Sequence, residues 1–303
     1  MIPICLVTGF LGSGKTTLLR RIVEARHGER IVYLVNDFAQ VDIDTALLAQ
    51  AEDDVVAIPG GSIFCQCLVT QFVYHLRHIP ERFHTADEPI VGVVIEASGI
   101  ANPMVVEQML SETRLDATYA VASIISIVDP GSLPMLVHTL PNIAAQIRAA
   151  DTVLLNKIDL FDAAQVAQAE RIVREINPGA QVVRTVRCGV DLDLFSGAHP
   201  RGLHGEYAAC ADPHYASYAI ALTEPTDPEE LGAELEALRD EIYRAKGFVP
   251  TSSGMVYLDL SASGLSMEPA ATEAGWAGLV IIARGERHAG VSEFARRHGA
   301  TEA

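Results

Sequence analysis

Ile2-Pro3-Ile4-Cys5-Leu6-Val7-Thr8, running into Gly9-Phe10-Leu11-Gly12-Ser13-Gly14-Lys15-Thr16, decides how this chain is read. An apolar run of strand length delivers the backbone into a turn that satisfies G-x-x-x-x-G-K-[ST] at every fixed position. A helical pattern follows through residue 26. In a strand–turn–helix of this kind the glycines let successive backbone N–H groups wrap an anion at a helix N-terminus. Lys15 is then placed to reach the β- and γ-phosphates of a nucleotide, and the Thr16 hydroxyl to ligate Mg²⁺.

Working outward, the same alternation continues. Residues 30–36 (RIVYLVN), 89–97 (PIVGVVIEA), 119–129 (YAVASIISIVD), 152–156 (TVLLN) and 181–185 (QVVRT) are short apolar runs. They are continuous rather than alternating, as expected for a parallel sheet buried on both faces. Helical stretches separate them, such as 162–176, which stops at Asn177-Pro178-Gly179. The fold class expected is a doubly wound, mainly parallel α/β domain. At 196–213 the pattern lapses into a Gly-, Pro- and Ala-rich stretch that reads as a linker. Beyond it lie a strand at 217–223, a helix opened by Asp227-Pro228 and running to about residue 245, strands at 255–261 and 279–283, and a closing helix at 291–298. These make a smaller α+β domain, so the expected division is 1–205 and 206–303.

Composition narrows the partners. The 303 residues carry a net charge of −17, which argues against nucleic acid or an anionic membrane as the main partner. Such a charge suits a metal cation or a partner with a basic face. No apolar stretch approaches the roughly 20 residues of a spanning helix, and the start MIPICLVTGF lacks the basic region of a signal peptide. The cysteines Cys5, Cys65, Cys67, Cys188 and Cys210 are too sparse for a disulfide framework, so a reducing cytoplasm is expected.

Two further motifs carry chemistry. Asn156-Lys157-Ile158-Asp159 ends a late strand. A carboxylate there can accept the paired N1 and N2 donors of guanine, a pair adenine does not offer, so Asp159 reads the base and the Lys157 stem covers it. Glu96-Ala97-Ser98-Gly99 follows another strand. Glu96 reaches the carboxyl edge of the sheet, where it can hold Mg²⁺ directly or through water, and the Gly99 N–H can approach the γ-phosphate.

Together GFLGSGKTT, VNDFAQVDID, IEASGIANP, IVDP and LLNKIDL resemble the CobW family of P-loop GTPases, relatives of the urease and hydrogenase nickel-insertion GTPases. The segment 242–248 (IYRAKGF) resembles the CobW C-terminal domain, so the likeness spans nearly the whole chain. It implies a metal-handling GTPase that dimerises or docks on a client while GTP-bound. By this resemblance Gly9, Gly12, Ser13, Gly14, Lys15, Thr16 and Thr17 form the phosphate loop. Asp37 stands where the family usually has Glu in a switch segment, and Asp44 matches the acidic end of that segment. Glu96 and Gly99 match its Glu-x-x-Gly element, and Asn156, Lys157 and Asp159 its base reader.

The departure is in the cysteines. The family carries Cys-x-Cys-Cys after a Gly-rich approach, whereas this chain reads Gly60-Gly61-Ser62-Ile63-Phe64-Cys65-Gln66-Cys67. Aligned on the glycines, Ser62 and Phe64 replace the first two cysteines, Cys65 keeps the third position, and Cys67 is an extra thiol. Two thiolates still suit a soft or borderline cation, Zn²⁺ by its chemistry and Co²⁺ by the resemblance. They need further ligands from a second subunit, a water, a switch carboxylate, or His75 and His78, three apart on one face of an expected helix. His199, His204 and His214 around the linker are a sparse version of the family's His tracts. Cys5 reads as core. The function expected is GTP hydrolysis coupled to metal delivery to a client protein, a metalloprotein or a cofactor-dependent enzyme, or to a cofactor pathway. The alternatives are a GTPase that activates a cofactor-dependent enzyme without a transition-metal site of its own, and a small-molecule kinase.

Overall fold

β1 (Ile2–Gly9) is buried without a break from Ile4 onward, and its neighbours on both sides run parallel to it. The structure is a computed structural model that describes residues 1–37, 55–59, 62–66, 68–85, 89–208, 214–261, 264–270, 277–285 and 288–302. β2 (Ile31–Asp37), β3 (Val55–Pro59), β4 (Gly92–Glu96), β5 (Tyr119–Val128), β6 (Thr152–Leu155) and β7 (Gln181–Arg184) complete a parallel sheet in the order β3-β2-β4-β1-β5-β6-β7. The helices between them are α1 (Lys15–Ala25), α2 (Val69–Phe83), α3 (Val106–Glu112), α4 (Leu133–Thr139), α5 (Pro141–Ala149) and α6 (Ala163–Ile176). Leu18, Leu19, Ile22 and Val23 make a stripe on α1 that packs with Cys5, Val7, Tyr33 and Val35 on one face of the sheet. Ile4 and Leu6, alternating with them, are equally buried on the other face. That two-sided burial is why the strands read as continuous apolar runs. β3 has no counterpart in the sequence reading: it is a five-residue edge strand that, among the described residues, pairs only with β2. α6 begins as its sequence suggests, with Asp162 and Gln165 forming a reciprocal cap.

A second compact unit takes in the chain from Ala211 onward, the first extending to Cys210. It contains β8 (Tyr215–Ala221), α7 (Pro228–Ala237), β9 (Ile242–Thr251), β10 (Gly254–Ser261), β11 (Gly264–Ala270), β12 (Gly278–Arg284), α8 (Ala289–Arg297) and β13 (Thr301–Glu302). The strands form an antiparallel sheet, β11-β10-β9-β12-β8-β13. Leu231, Leu235, Val291 and Phe294 of the helices cover Ala245, Val249, Leu258, Leu279 and Ile281. The helix opened by Asp227 ends at Ala237, and not near residue 245 as expected from the sequence. The following segment is β9. Ala245, Lys246, Gly247, Phe248 and Val249 are buried in succession, which a sheet strand covered on both faces achieves and a one-sided helix does not.

The stretch expected as a linker is partly fastened. The Arg201 guanidinium donates to Asp151 and to the Val121 and Ala122 carbonyls. Glu107 accepts from the Arg201 and Leu203 N–H groups, and the Tyr207 hydroxyl donates to Glu112. Among the described residues, no helix is long and apolar enough to cross a membrane.

Candidate nucleotide site and cysteine loop

The carboxyl ends of β1, β2, β4 and β6 gather the sequence motifs at one edge of the first sheet. Gly9 closes β1, and Lys15 opens α1 behind a left-handed Gly14 at φ 120°. Gly14 is required there: a Cβ would sit 2.5 Å from Asn156 Nδ2. A glycine N-cap leaves no side chain on the first-turn N–H groups of α1, and no acidic residue occupies that turn. The positive end of the helix is therefore available to an anion. Lys15 is only 5% exposed and donates from Nζ to the Phe10 carbonyl at 3.4 Å, folding its ammonium over the loop. Ser13 is buried, Thr16 half-buried and Thr17 exposed.

The Asn156–Asp159 turn shows a division of labour that the sequence did not disclose. The amide of Asn156, which the resemblance assigns to the base reader, makes its hydrogen bonds to the protein. Nδ2 donates to the Ser13 carbonyl at 2.9 Å, and Oδ1 accepts from the Thr185 hydroxyl at 3.1 Å and the Cys188 N–H at 2.9 Å. It fastens the phosphate loop to the turn after β7. Lys157 sits at φ 61° with Nζ 3.6 Å from Asp129 Oδ2, and Asp129 in turn accepts from the Gly131 and Ser132 N–H groups. Asp159 is exposed in the 3₁₀ turn Ile158–Leu160. Arg187 and Cys188 also have positive φ, and the Arg21 guanidinium donates to the Arg187 carbonyl at 2.6 Å. Three of the four positive-φ non-glycine residues among those described thus surround this corner. Backbone conformations of this cost concentrate at binding sites.

The opposite flank is built on Glu96. It is 2% exposed at the end of β4, in register with Val7 of β1 and Val35 of β2. Gly99 lies against the phosphate loop so closely that a Cβ would stand 2.7 Å from the Leu11 nitrogen. Asn142 and Gln146 of α5 hold the turn from outside, donating to the carbonyls of Ile100 and of Gly99 and Ala101 respectively. Asn36, at the end of β2 and 3% exposed, was not singled out in the sequence. Its Nδ2 donates to the Ile58 carbonyl at 3.0 Å, while Oδ1 accepts from the Ile63 N–H at 3.0 Å and the Ser98 N–H at 3.2 Å. The only sequence signal for it is a polar residue ending an apolar strand one position before Asp37.

The Ile63 contact brings the cysteine loop to the same edge. Cys65 is buried, donates its N–H to the Ser62 carbonyl and accepts at its own carbonyl from the Val69 N–H that starts α2. Gln66 and Phe64 bracket it with hydrogen bonds to Ala208. At the two positions where the resemblance expects further cysteines, Ser62 Oγ accepts from the Phe64 N–H and the Phe64 ring packs edge-on against Phe72. Both positions are thus committed to the fold. Cys67 and Asp44 lie outside the described residues, and of Asp37 only the backbone is described. His75 and His78 flank the exposed Tyr74 ring on α2, and burial, with Arg82 and His78 nearby, lowers the His75 pKa. His199, His204 and His214 are exposed. Among the described residues, no group of three His, Cys, Asp or Glu side chains is placed to hold a metal ion. Burial pushes the Cys5 and Cys188 thiols up to about 12, so both remain protonated near neutrality and poor metal ligands.

The fold and the loop define a P-loop nucleotide-binding protein. Residues 3–184 match the CobW/HypB/UreG nucleotide-binding domain, and residues 215–295 match the C-terminal domain of the cobalamin synthesis protein CobW. The chain belongs to the CobW/HypB/UreG family. It is 27% identical over 263 residues to the zinc chaperone YjiA of Escherichia coli, covering 82% of this chain and 81% of that protein. It is 27% identical over 293 residues to the zinc chaperone CobW of Pseudomonas aeruginosa, covering 82% of this chain and 76% of that protein. Among solved structures, Zn(II)-bound YjiA GTPase from E. coli aligns at 21% identity and TM-score 0.48, over 97% of this chain and 98% of that one.

Proposed function

We propose that this chain is a GTPase that couples GTP hydrolysis to delivery of a transition-metal ion, Zn²⁺ before Co²⁺, to a client metalloprotein. The observation that carries the reading is the meeting of the Ser62–Gln66 loop and the Glu96–Gly99 turn on one buried amide, Asn36, beside the phosphate loop. The names of the zinc-chaperone relatives support the choice of cargo.

Lys15 gives up the Phe10 carbonyl for the β- and γ-phosphate oxygens, and the first-turn N–H groups of α1 hold the same anion. The half-buried Thr16 hydroxyl and the buried Glu96 carboxylate are hard oxygen donors of the kind Mg²⁺ prefers, with Asp37 and Asp44 as further candidates. Mg²⁺, when held there, neutralises charge on the transferring phosphoryl group. Glu96 also orients the attacking water. Asp159 selects guanine, and Asn156 keeps its turn at a fixed distance from the phosphates. Cys65 and Cys67 supply the thiolates for the cargo. Two thiolates do not complete a tetrahedral site, so a second copy of the chain or the client provides the rest, and GTP-dependent pairing follows from that need.

The test is metal titration of the full chain with GTP analogue, with GDP and without nucleotide. The expected result is one Zn²⁺ per chain or per dimer in the analogue state, weakened in GDP, and lost in Cys65→Ser with Cys67→Ser while GTP still binds. Absence of metal binding in every state overturns the delivery role and leaves a GTPase that activates a cofactor-dependent enzyme.

A further inference from the structure

We infer that Asn36 is the positioning residue that transmits the nucleotide state from the turn after Glu96 to the cysteine loop. The inference rests on the reading of that turn as nucleotide-responsive. One carboxamide oxygen accepts from both loops, from Ser98 N–H at 3.2 Å on the nucleotide side and from Ile63 N–H at 3.0 Å two residues before Cys65. The amide nitrogen is pinned to the Ile58 carbonyl at 3.0 Å, which fixes the plane of the group to β3. At 3% exposure there is little water to replace a lost partner, so neither N–H can leave without a cost.

The rest of the turn is held firmly. Asn142 and Gln146 grip the carbonyls of Gly99, Ile100 and Ala101, and Gly99 is already against Leu11. Residues 96–98 are tied to β1 by the Ala97 N–H on the Val7 carbonyl and to the gripped turn by the Ala101 N–H on the Ser98 carbonyl, and the Ser98 N–H is their link toward the cysteine loop. Drawing Glu96 and Ser98 toward the nucleotide either carries the Asn36 oxygen along or breaks one of its two bonds. Either event alters the anchor of Ile63 and, through the 62–65 turn closed by Cys65 N–H on the Ser62 carbonyl, the setting of the Cys65 thiol. The cysteine loop therefore needs no contact with the nucleotide to sense it.

The experiment is hydrogen exchange at Ser98 and Ile63, with the alkylation rate of Cys65 by iodoacetamide, in the Mg²⁺–GTP-analogue and Mg²⁺–GDP states of the full chain. In the parent protein all three probes should shift between the two states by about threefold or more, because local opening reports on these bonds. In Asn36→Ala the Ser98 shift should persist while the Ile63 and Cys65 shifts fall toward unity. Asn36→Asp keeps an oxygen for both N–H groups but loses the donor to the Ile58 carbonyl, so it should restore the shifts in part, and that partial return separates coupling from general loosening. A merely structural role would raise exchange equally in both states. Persistence of the Ile63 and Cys65 shifts in Asn36→Ala overturns the inference, as does a parent in which Ser98 responds and Ile63 does not. A parent in which no probe responds overturns it together with the responsive turn. Metal titration judges the delivery role separately, since none of these probes requires a bound metal.

Discussion

Asn36 and Asn156 end strands at the same sheet edge and use their amides in the same way, yet they serve opposite halves of the site. Asn156 is 2% exposed and bonds the phosphate loop to the turn that carries Cys188. Each of its partners lies in a segment locked to the sheet or to α1. Asn36 bonds segments that carry the proposed water-orienting carboxylate and the proposed cargo thiol. The same side chain thus makes a rigid frame where its partners are fixed and a relay where one partner answers to a ligand. A buried amide is suited to both tasks because it donates and accepts at once, and burial makes each unmade bond expensive.

The comparison can be broken at its rigid half. Asn156→Ala strands the Ser13 carbonyl, the Thr185 hydroxyl and the Cys188 N–H together. Urea unfolding should show a loss of about 3 kcal/mol, and GTP affinity should fall with it. A loss under about 1 kcal/mol would mean that the frame is held elsewhere.

Next in size is Glu96→Gln, which keeps shape and removes charge. Single-turnover hydrolysis should slow on the order of a hundredfold, with the GTP dissociation constant within about threefold of the parent value. Hydrolysis at the parental rate would remove Glu96 from the reaction and leave the relay side with only a tethering role.

The smallest expected effect concerns the base. Asp159→Asn should weaken GTP binding about tenfold, in line with one charge-assisted pair, and leave ATP binding nearly unchanged. Equal affinity of the parent protein for ATP and GTP would overturn the guanine assignment while leaving the Asn156 frame intact.

Much of this architecture was legible from local pattern. The run before Gly9 and the runs at 30–36, 119–129 and 152–156 declared parallel strands because both of their faces are buried. Other elements were not legible for physical reasons. β3 is short and gains its strand character from pairing with β2. β9 carries Ile242, Ala245 and Val249 at a spacing a helix could also use, and pairing with β10 and β12 decides the matter. The replacement of two expected cysteines by Ser62 and Phe64 was visible in sequence. That Phe64 is a core ring against Phe72 was not.

The sequence by itself determined the phosphate loop, the Asn156–Asp159 tetrapeptide at the end of a strand and the parallel sheet, because each depends on neighbours within a few residues. Only tertiary structure decided what the two asparagines do. Among the described residues their partners are 22 to 143 positions away in the chain, from Ile58 for Asn36 to Ser13 for Asn156. Sequence spacing carries no record of such bonds, which exist because the ends of parallel strands converge on one edge and bury the amides between them.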